Sequence, residues 1–178
     1  YVERSDIIIN ILNNKVDFSF KSYQAGNNNH VYLNGETDFF KDSLLITFDK
    51  SYIHLLDKTW NIKNDNHVMV SKDSIRFKNV NFRNTNELLS INGVLSKKDK
   101  DTLLVKLTDF DLDNFQSYTD IDIGGGASGK LKLANAFSNP SLSTDMELSN
   151  LTVQKDTLGT LVGNWSWTES EEKVKSLF

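Results

Sequence analysis

The sequence predicts an all-β protein, and three observations carry that reading. Apolar and polar residues alternate with period two along almost the whole chain. The composition suits strands: only 4 Ala and 7 Glu stand against 17 Asp, 20 Asn and 11 Phe, so helix formers are scarce while turn formers and residues that fit a pleated surface abound. The connectors are short and polar, of lengths that suit hairpins or a meander.

Taken in order, Ile7, Ile9 and Ile11 alternate with Ile8 and Asn10, and Val16, Phe18 and Phe20 alternate with Asp17 and Ser19. The turn signal Asn13-Asn14 joins these two runs. Further strands are expected at 31–33, 44–48, 52–56, 68–70, 75–82 and 88–95, then at 103–112, 131–133, 142–153 and 158–167. The connectors fall at 26–29, 64–66, 97–101 and 168–172. Residues 113–118 and 134–137 read as single helical turns, too short for an amphipathic helix. No linker divides residues 1–178, which read as one β-rich segment. Tyr1 is not an initiator Met, and the last residues lie in an apolar-patterned stretch, so a segment of a longer, repeat-like protein is expected.

One pattern is more specific than alternation. Apolar-x-apolar-x-Asn/Asp-apolar-x-apolar occurs at Ile75-x-Phe77-x-Asn79-Val80-x-Phe82, at Val105-x-Leu107-x-Asp109-Phe110-x-Leu112 and at Met146-x-Leu148-x-Asn150-Leu151-x-Val153. Apolar parity flips at the Asn or Asp in each copy. A one-residue slip would otherwise swap faces, so a bulge or corner is expected there, re-aiming the chain toward the same face. Leu33-Asn34-Gly35 echoes Ile91-Asn92-Gly93. Loose repetition of this kind fits a sheet that grows along one axis.

Composition narrows the function. A net charge of −4 with no basic stripe argues against nucleic acid as a partner. The absence of cysteine excludes a disulfide framework and a thiolate metal site. No run approaches the ~18 apolar residues of a membrane-spanning helix.

The motifs that could carry chemistry are weak. Gly124-Gly125-Gly126-Ala127-Ser128-Gly129-Lys130 satisfies G-x-x-x-x-G-K but continues into Leu131, where Ser or Thr should hold magnesium, and then into a strand pattern rather than a helix. It reads as a flexible or close-packed turn. His30, His54 and His67 are isolated and read as surface or sheet-face residues. Asp109, Asp111 and Asp113 open like a calcium loop, but Asn114 and Asp120 replace the glycine and glutamate that such a loop needs, so a solvated strand edge is the better reading. Trp165 and Trp167 share a strand face, while Trp60 stands alone; edge or core packing is the ordinary account, and a sugar platform is the alternative. No catalytic residue, metal ligand or cofactor is assigned, and an enzyme is not expected.

From Ser51 to Leu177 the chain resembles the long periplasmic proteins called translocation and assembly module subunit TamB, within the wider AsmA-like group, in the form found in Bacteroidetes. The residues that carry the resemblance are Ser51-Tyr52-Ile53-His54-Leu55 running to Lys58-Thr59-Trp60, Ser90-Ile91-Asn92-Gly93, Phe110-Asp111-Leu112-Asp113-Asn114-Phe115 and Gly129-Lys130-Leu131-Lys132-Leu133, followed by Phe137-Ser138-Asn139-Pro140, Leu151-Thr152-Val153 and Leu158-Gly159-Thr160-Leu161. The match covers about two thirds of the chain, and the first fifty residues fit only as generic strands. The resemblance implies an elongated, curled, taco-like and mostly antiparallel sheet with an apolar interior. It also implies anchorage in the inner membrane of a Gram-negative bacterium, a span across the periplasm, and carriage of phospholipid toward the outer membrane. Outer-membrane assembly through the barrel partner TamA is implied for the full-length protein.

A sheet with one apolar face must bury it against another layer or a ligand. Read as a groove, the inner wall takes Phe18, Phe20, Ile75, Phe77, Val105, Leu107, Leu131, Leu133, Met146 and Leu148, with Arg76, Lys106, Lys132 and Glu147 toward water. Such a wall would offer acyl chains roughly 0.8 kcal/mol per buried methylene. Open sheet edges would give the segment a route to a homodimer. The alternative is a secreted or surface β-sandwich that closes its core and binds glycan or protein.

Overall fold

The computed structural model describes residues 2–25, 28–55, 57–115, 121–168 and 171–177. The fold is all-β and antiparallel. Fourteen strands are seen among the described residues: β1 (Val2–Leu12), β2 (Lys15–Gln24), β3 (His30–Phe39), β4 (Ser43–Phe48), β5 (Ser51–Leu55), β6 (Lys58–Ile62), β7 (His67–Ser71), β8 (Ser74–Arg83), β9 (Leu88–Ser96), β10 (Thr102–Asp111), β11 (Ile123–Ala134), β12 (Ser141–Val153), β13 (Asp156–Thr168) and β14 (Glu171–Leu177). They join one large sheet. A single 3₁₀ turn, Leu112–Phe115, follows β10. Residues 116–118 of the helical turn expected there, together with Gly26, Asn27, Leu56 and Asp120, lie outside the described residues. The second expected helical turn is an ordinary bend: Asn135 adopts a φ of 53°, and the Ser138 N–H donates to the Asn135 carbonyl at 3.0 Å.

By its contacts the chain divides into two compact units, Tyr1–Asn84 with Ile91–Val94, and Thr85–Ser90 with Leu95–Phe178. In the first unit β1 and β2 form a hairpin whose turn residue Asn13 has a φ of 55°. That conformation suits Asn better than any branched residue. β3 pairs with β2 along its length. The C-terminal half of β3 then pairs with β4 and its N-terminal half with β5, so the chain jogs at Asp49-Lys50. A second jog at 63–66 separates β6 from β7, both of which pair with β8.

A jog breaks the backbone ladder, and side chains repair it. Asn66 is completely buried. Its Oδ1 accepts from the Phe48 N–H at 2.9 Å, and its Nδ2 donates to the Phe48 carbonyl at 2.8 Å and the Lys63 carbonyl at 2.7 Å. The amide therefore does the work of one peptide unit. At the other jog the buried Ser51 hydroxyl accepts from the Asn34 N–H at 2.9 Å and donates to the Asn34 carbonyl at 3.0 Å. Asn79 adopts a φ of 54°, and its N–H donates to Asn92 Oδ1 at 2.7 Å.

The second unit is a meander of β10 to β14, each strand antiparallel to the last. Asp109 and Asn150 have φ values of 48° and 50°. The register shifts across each of them, between Leu107 and Phe110 and between Leu148 and Leu151. The Asp109 N–H donates to the Ser128 hydroxyl at 2.9 Å. The three positions where apolar parity flips in the sequence are thus three left-handed corners. Their effect on packing is direct: Met146 and Leu148 before the corner, and Leu151 and Val153 after it, belong to one cluster around Leu112 and Ala127.

The glycine run corrects the sequence expectation. Residues 124–129 form the interior of β11, not a turn. Gly125 has a φ of 115°, and a Cβ there would lie 2.6 Å from the Ser149 carbonyl oxygen. The glycines let β11 close on β12, where backbone approach leaves no room for a side chain.

Replacing Asn66 with Ala leaves three backbone groups without their partner, and a loss of about 2–4 kcal/mol is expected from the usual penalty for such orphans. Asn64→Ala, in the same jog but exposed, should stay within about 0.5 kcal/mol; equal losses in urea titrations would refute the repair role. At the corner, Asn150→Val should lose about 1–2 kcal/mol to left-handed strain while Asn150→Gly should not, as thermal melts of the two variants will show.

Candidate functional site

Within each unit, register assigns the paired strand residues to faces. In the first unit, Ile11, Val16, Thr37, Ile46, Val68 and Phe77 form one continuous row across β1, β2, β3, β4, β7 and β8. Flanking it on the same face are Ile9, Phe18, Gly35 and Phe48, and then Ile7, Phe20 and Leu33. On the other flank lie Leu44, Val70 and Ile75. Phe18 meets Phe48 edge-on, with ring centroids 6.1 Å apart. Gly35 permits this, since a Cβ there would sit 3.0 Å from the Phe18 ring. Phe18, Phe20, Ile75 and Phe77, the four groove residues expected here, share this face and are half-buried, while Arg76 is exposed on the other.

The second unit repeats the arrangement. Leu103, Leu133, Leu142 and Trp167 form one row, followed by Val105, Leu131, Thr144 and Trp165, and then by Leu107, Gly129, Met146 and Gly163. Leu148 lies one step further along, between Ala127 and Leu161. All six groove residues expected in this unit occupy the apolar face: Val105, Leu107, Leu131, Leu133, Met146 and Leu148. Lys106, Lys132 and Glu147 are exposed opposite them. Trp165 lies across Gly163, where a Cβ would come within 2.8 Å of the indole. Tryptophan and glycine thus complement each other sterically on the same strand.

The face is apolar but sparsely covered. Among the described residues only six apolar side chains are fully buried: Ile62, Val80, Leu103, Leu112, Ala127 and Leu151. At the β1 end the face is open, with Ile7, Ile9 and Ile11 between 56% and 73% exposed. Ile46, Val68 and Val70 belong to the apolar face of the first unit, and Leu103 and Leu142 to that of the second. Their face follows from which strands pair, which periodicity within one strand does not supply.

The opposite face is polar along most of its length. Lys15 bridges Glu36 at 3.2 Å and Asp38 at 3.4 Å. Its ammonium is held above the ordinary lysine value, first by the hydrogen bond to Glu36 and then by the charge of Asp38. An exposed pair of this kind adds little stability.

One region of that face is different. His30 and His54, distant in sequence, lie directly opposite each other on β3 and β5 and stack at 4.9 Å. His67 stands apart, with its Nδ1 3.3 Å from the Thr47 hydroxyl. Among the described residues no three His, Cys, Asp or Glu side chains gather where they could hold a metal ion. Asp111 serves its own turn, accepting from the Asp113 N–H at 3.0 Å.

Comparison of the chain with protein-family profiles, with curated proteins and with solved structures finds no match in any of the three.

The face assignment predicts unequal neighbours. Phe77→Ala should lose about 1–3 kcal/mol, toward the lower end for a half-buried ring, while Arg76→Ala should change stability by less than about 0.5 kcal/mol. Chemical denaturation measures both, and a larger effect at Arg76 would reverse the faces.

Proposed function

We propose that this chain is a non-catalytic segment of a periplasm-spanning envelope-biogenesis protein, and that its apolar face shields phospholipid acyl chains on their way to the outer membrane. In this reading the parent protein is TamB-like, is anchored in the inner membrane, and supports outer-membrane assembly through a TamA-type barrel partner. The sheet curls about its apolar side to form the groove. Free sheet edges, β1 foremost, give the isolated segment a surface for pairing with a second copy.

The observation that carries the proposal is one-sidedness without cover. Each unit presents mainly apolar rows on one face, and most of those side chains are only half-buried. A globular core of this size would bury far more of them. Among the described residues no helix is present to cover the face, since only a 3₁₀ turn interrupts the strands. An acyl chain is the ligand that suits such a wall, because it is long, has no polar group along its length and gains about 0.8 kcal/mol for each methylene withdrawn from water. The continuity of the rows from strand to strand supports movement along the face, since no polar side chain stands in the row from Leu103 to Trp167.

The test is site-specific photo-crosslinking in intact bacteria that carry the full-length protein. Probes at Phe77, Leu107 and Met146 should yield phospholipid adducts, and probes at Arg76, Lys106 and Glu147 should not. Adducts at neither set, in a protein that is folded and correctly located, would overturn the reading.

A further inference from the structure

The polar face carries a cluster of rings that acyl-chain shielding does not use. Tyr23, His30 and His54 form one row across β2, β3 and β5, and Lys21, Tyr32 and Tyr52 form the next. Tyr23 stacks on His30 at 5.8 Å with planes 23° apart, and His30 stacks on His54 at 4.9 Å with planes 16° apart. Tyr52 meets His30 edge-on at 5.6 Å, and Lys21 lies 5.3 Å over the Tyr32 ring. The rings of the first row therefore cover one another's faces. A sugar or an aromatic ligand, which needs a free ring face, finds little there. The row offers its edges, and the edges of the two imidazoles carry nitrogen.

The hydrogen bonds decide which nitrogen. His30 Nδ1 lies 2.8 Å from the Asn28 carbonyl oxygen. A carbonyl only accepts, so Nδ1 carries the proton, and the Nε2 of the neutral ring presents a lone pair. His54 Nδ1 is occupied by the Thr59 hydroxyl at 2.8 Å. His54 Nε2 is buried and has no hydrogen-bond partner, a state that buried polar atoms seldom occupy. Two adjacent imidazoles thus have their Nδ1 atoms engaged and their Nε2 atoms left for a ligand. Metal-binding histidines are prepared in this way, with the second ring nitrogen oriented by a carbonyl or hydroxyl.

We propose that His30 and His54 form a two-imidazole chelate for a divalent transition-metal ion of the zinc, nickel and copper class, with water completing the coordination. Imidazole selects these ions over magnesium and calcium, which prefer oxygen ligands. Metal–nitrogen bonds of about 2.0–2.1 Å require the two Nε2 atoms to come within roughly 4 Å. With ring centroids 4.9 Å apart, a tilt of the two edges toward each other would bring the Nε2 atoms to that separation. Both side chains line a pocket of about 300 Å³ at this end of the strands, with Tyr23, Gln24 and Asn29 beside them. With no third ligating side chain among the described residues, the ion exchanges readily and does not act as a permanent structural metal. Binding would clamp β5 to β3, where only three residue pairs form the ladder.

Untagged protein is titrated with NiCl2, ZnCl2 and CuCl2 by calorimetry, with MgCl2 as a control. One equivalent of transition metal should bind and raise the melting temperature, EDTA should reverse both effects, and magnesium should do neither. His30→Gln and His54→Gln should each weaken binding at least tenfold while His67→Gln leaves it unchanged. In the unaltered protein, substoichiometric Cu2+ should broaden the ring signals of His30 and His54 before those of His67, a readout that does not depend on any variant folding. Retention of binding in both single variants, or broadening that spares His30 and His54, would overturn the assignment.

Discussion

The structure depends on one recurrent interaction, a side chain from a neighbouring strand or jog taking the backbone N–H that a strand loses where the chain turns a corner. Ser51 does this for Asn34, Asn66 for Phe48, Asn92 for Asn79 and Ser128 for Asp109. The physical problem is the same each time. A residue in left-handed conformation, or a jog between half-strands, shifts the pleat by one residue and strands a donor. Without the shift, apolar residues beyond the corner would point to the polar face. Without the cap, the shift would leave a backbone N–H unpaired. The two features are needed together, and the apolar face exists only because both are present.

That face explains why so much of the molecule is half-buried. Strands of 12 and 13 residues present six or seven side chains to each side. Among the described residues, three of the six buried apolar ones, Val80, Leu112 and Leu151, lie just beyond the corners. There the bend brings side chains from both arms of a strand into contact. Elsewhere the rows lean on their cross-strand neighbours alone. Glycines at 35 and 163 deepen this, since each gives up its own volume to an aromatic ring beside it.

Much of this was legible in the sequence, and the parts that were not have a common cause. The strands could be read because period-two alternation is a local signal, and the corners at Asn79, Asp109 and Asn150 because a parity flip is visible within eight residues. Within each unit the proposed wall residues share a face with one another, which the same alternation records. The glycine run was misread as a turn: its purpose is close approach to Ser149 and Asn150 on another strand, which no local pattern records. Gln154-Lys155 makes a tight hairpin with both residues left-handed and carries none of the usual turn residues. His30 and His54 looked isolated because their pairing follows from the jog at Asp49-Lys50, which lets β5 slide in beside the N-terminal half of β3.

The corner and its cap also bear on how such a sheet is inherited. The corners at Asn79 and Asp109 are each completed by the adjoining strand, so the smallest self-sufficient piece of sequence there is a hairpin that brings its own Asn or Asp together with the residue that answers it. A gene encoding such a protein can gain or lose whole hairpins without disturbing the faces of those that remain. Within a hairpin, positions 79 and 92, or 109 and 128, are bound to change in step. Lineages that diverge past recognition in their apolar residues should still keep these polar pairs in register.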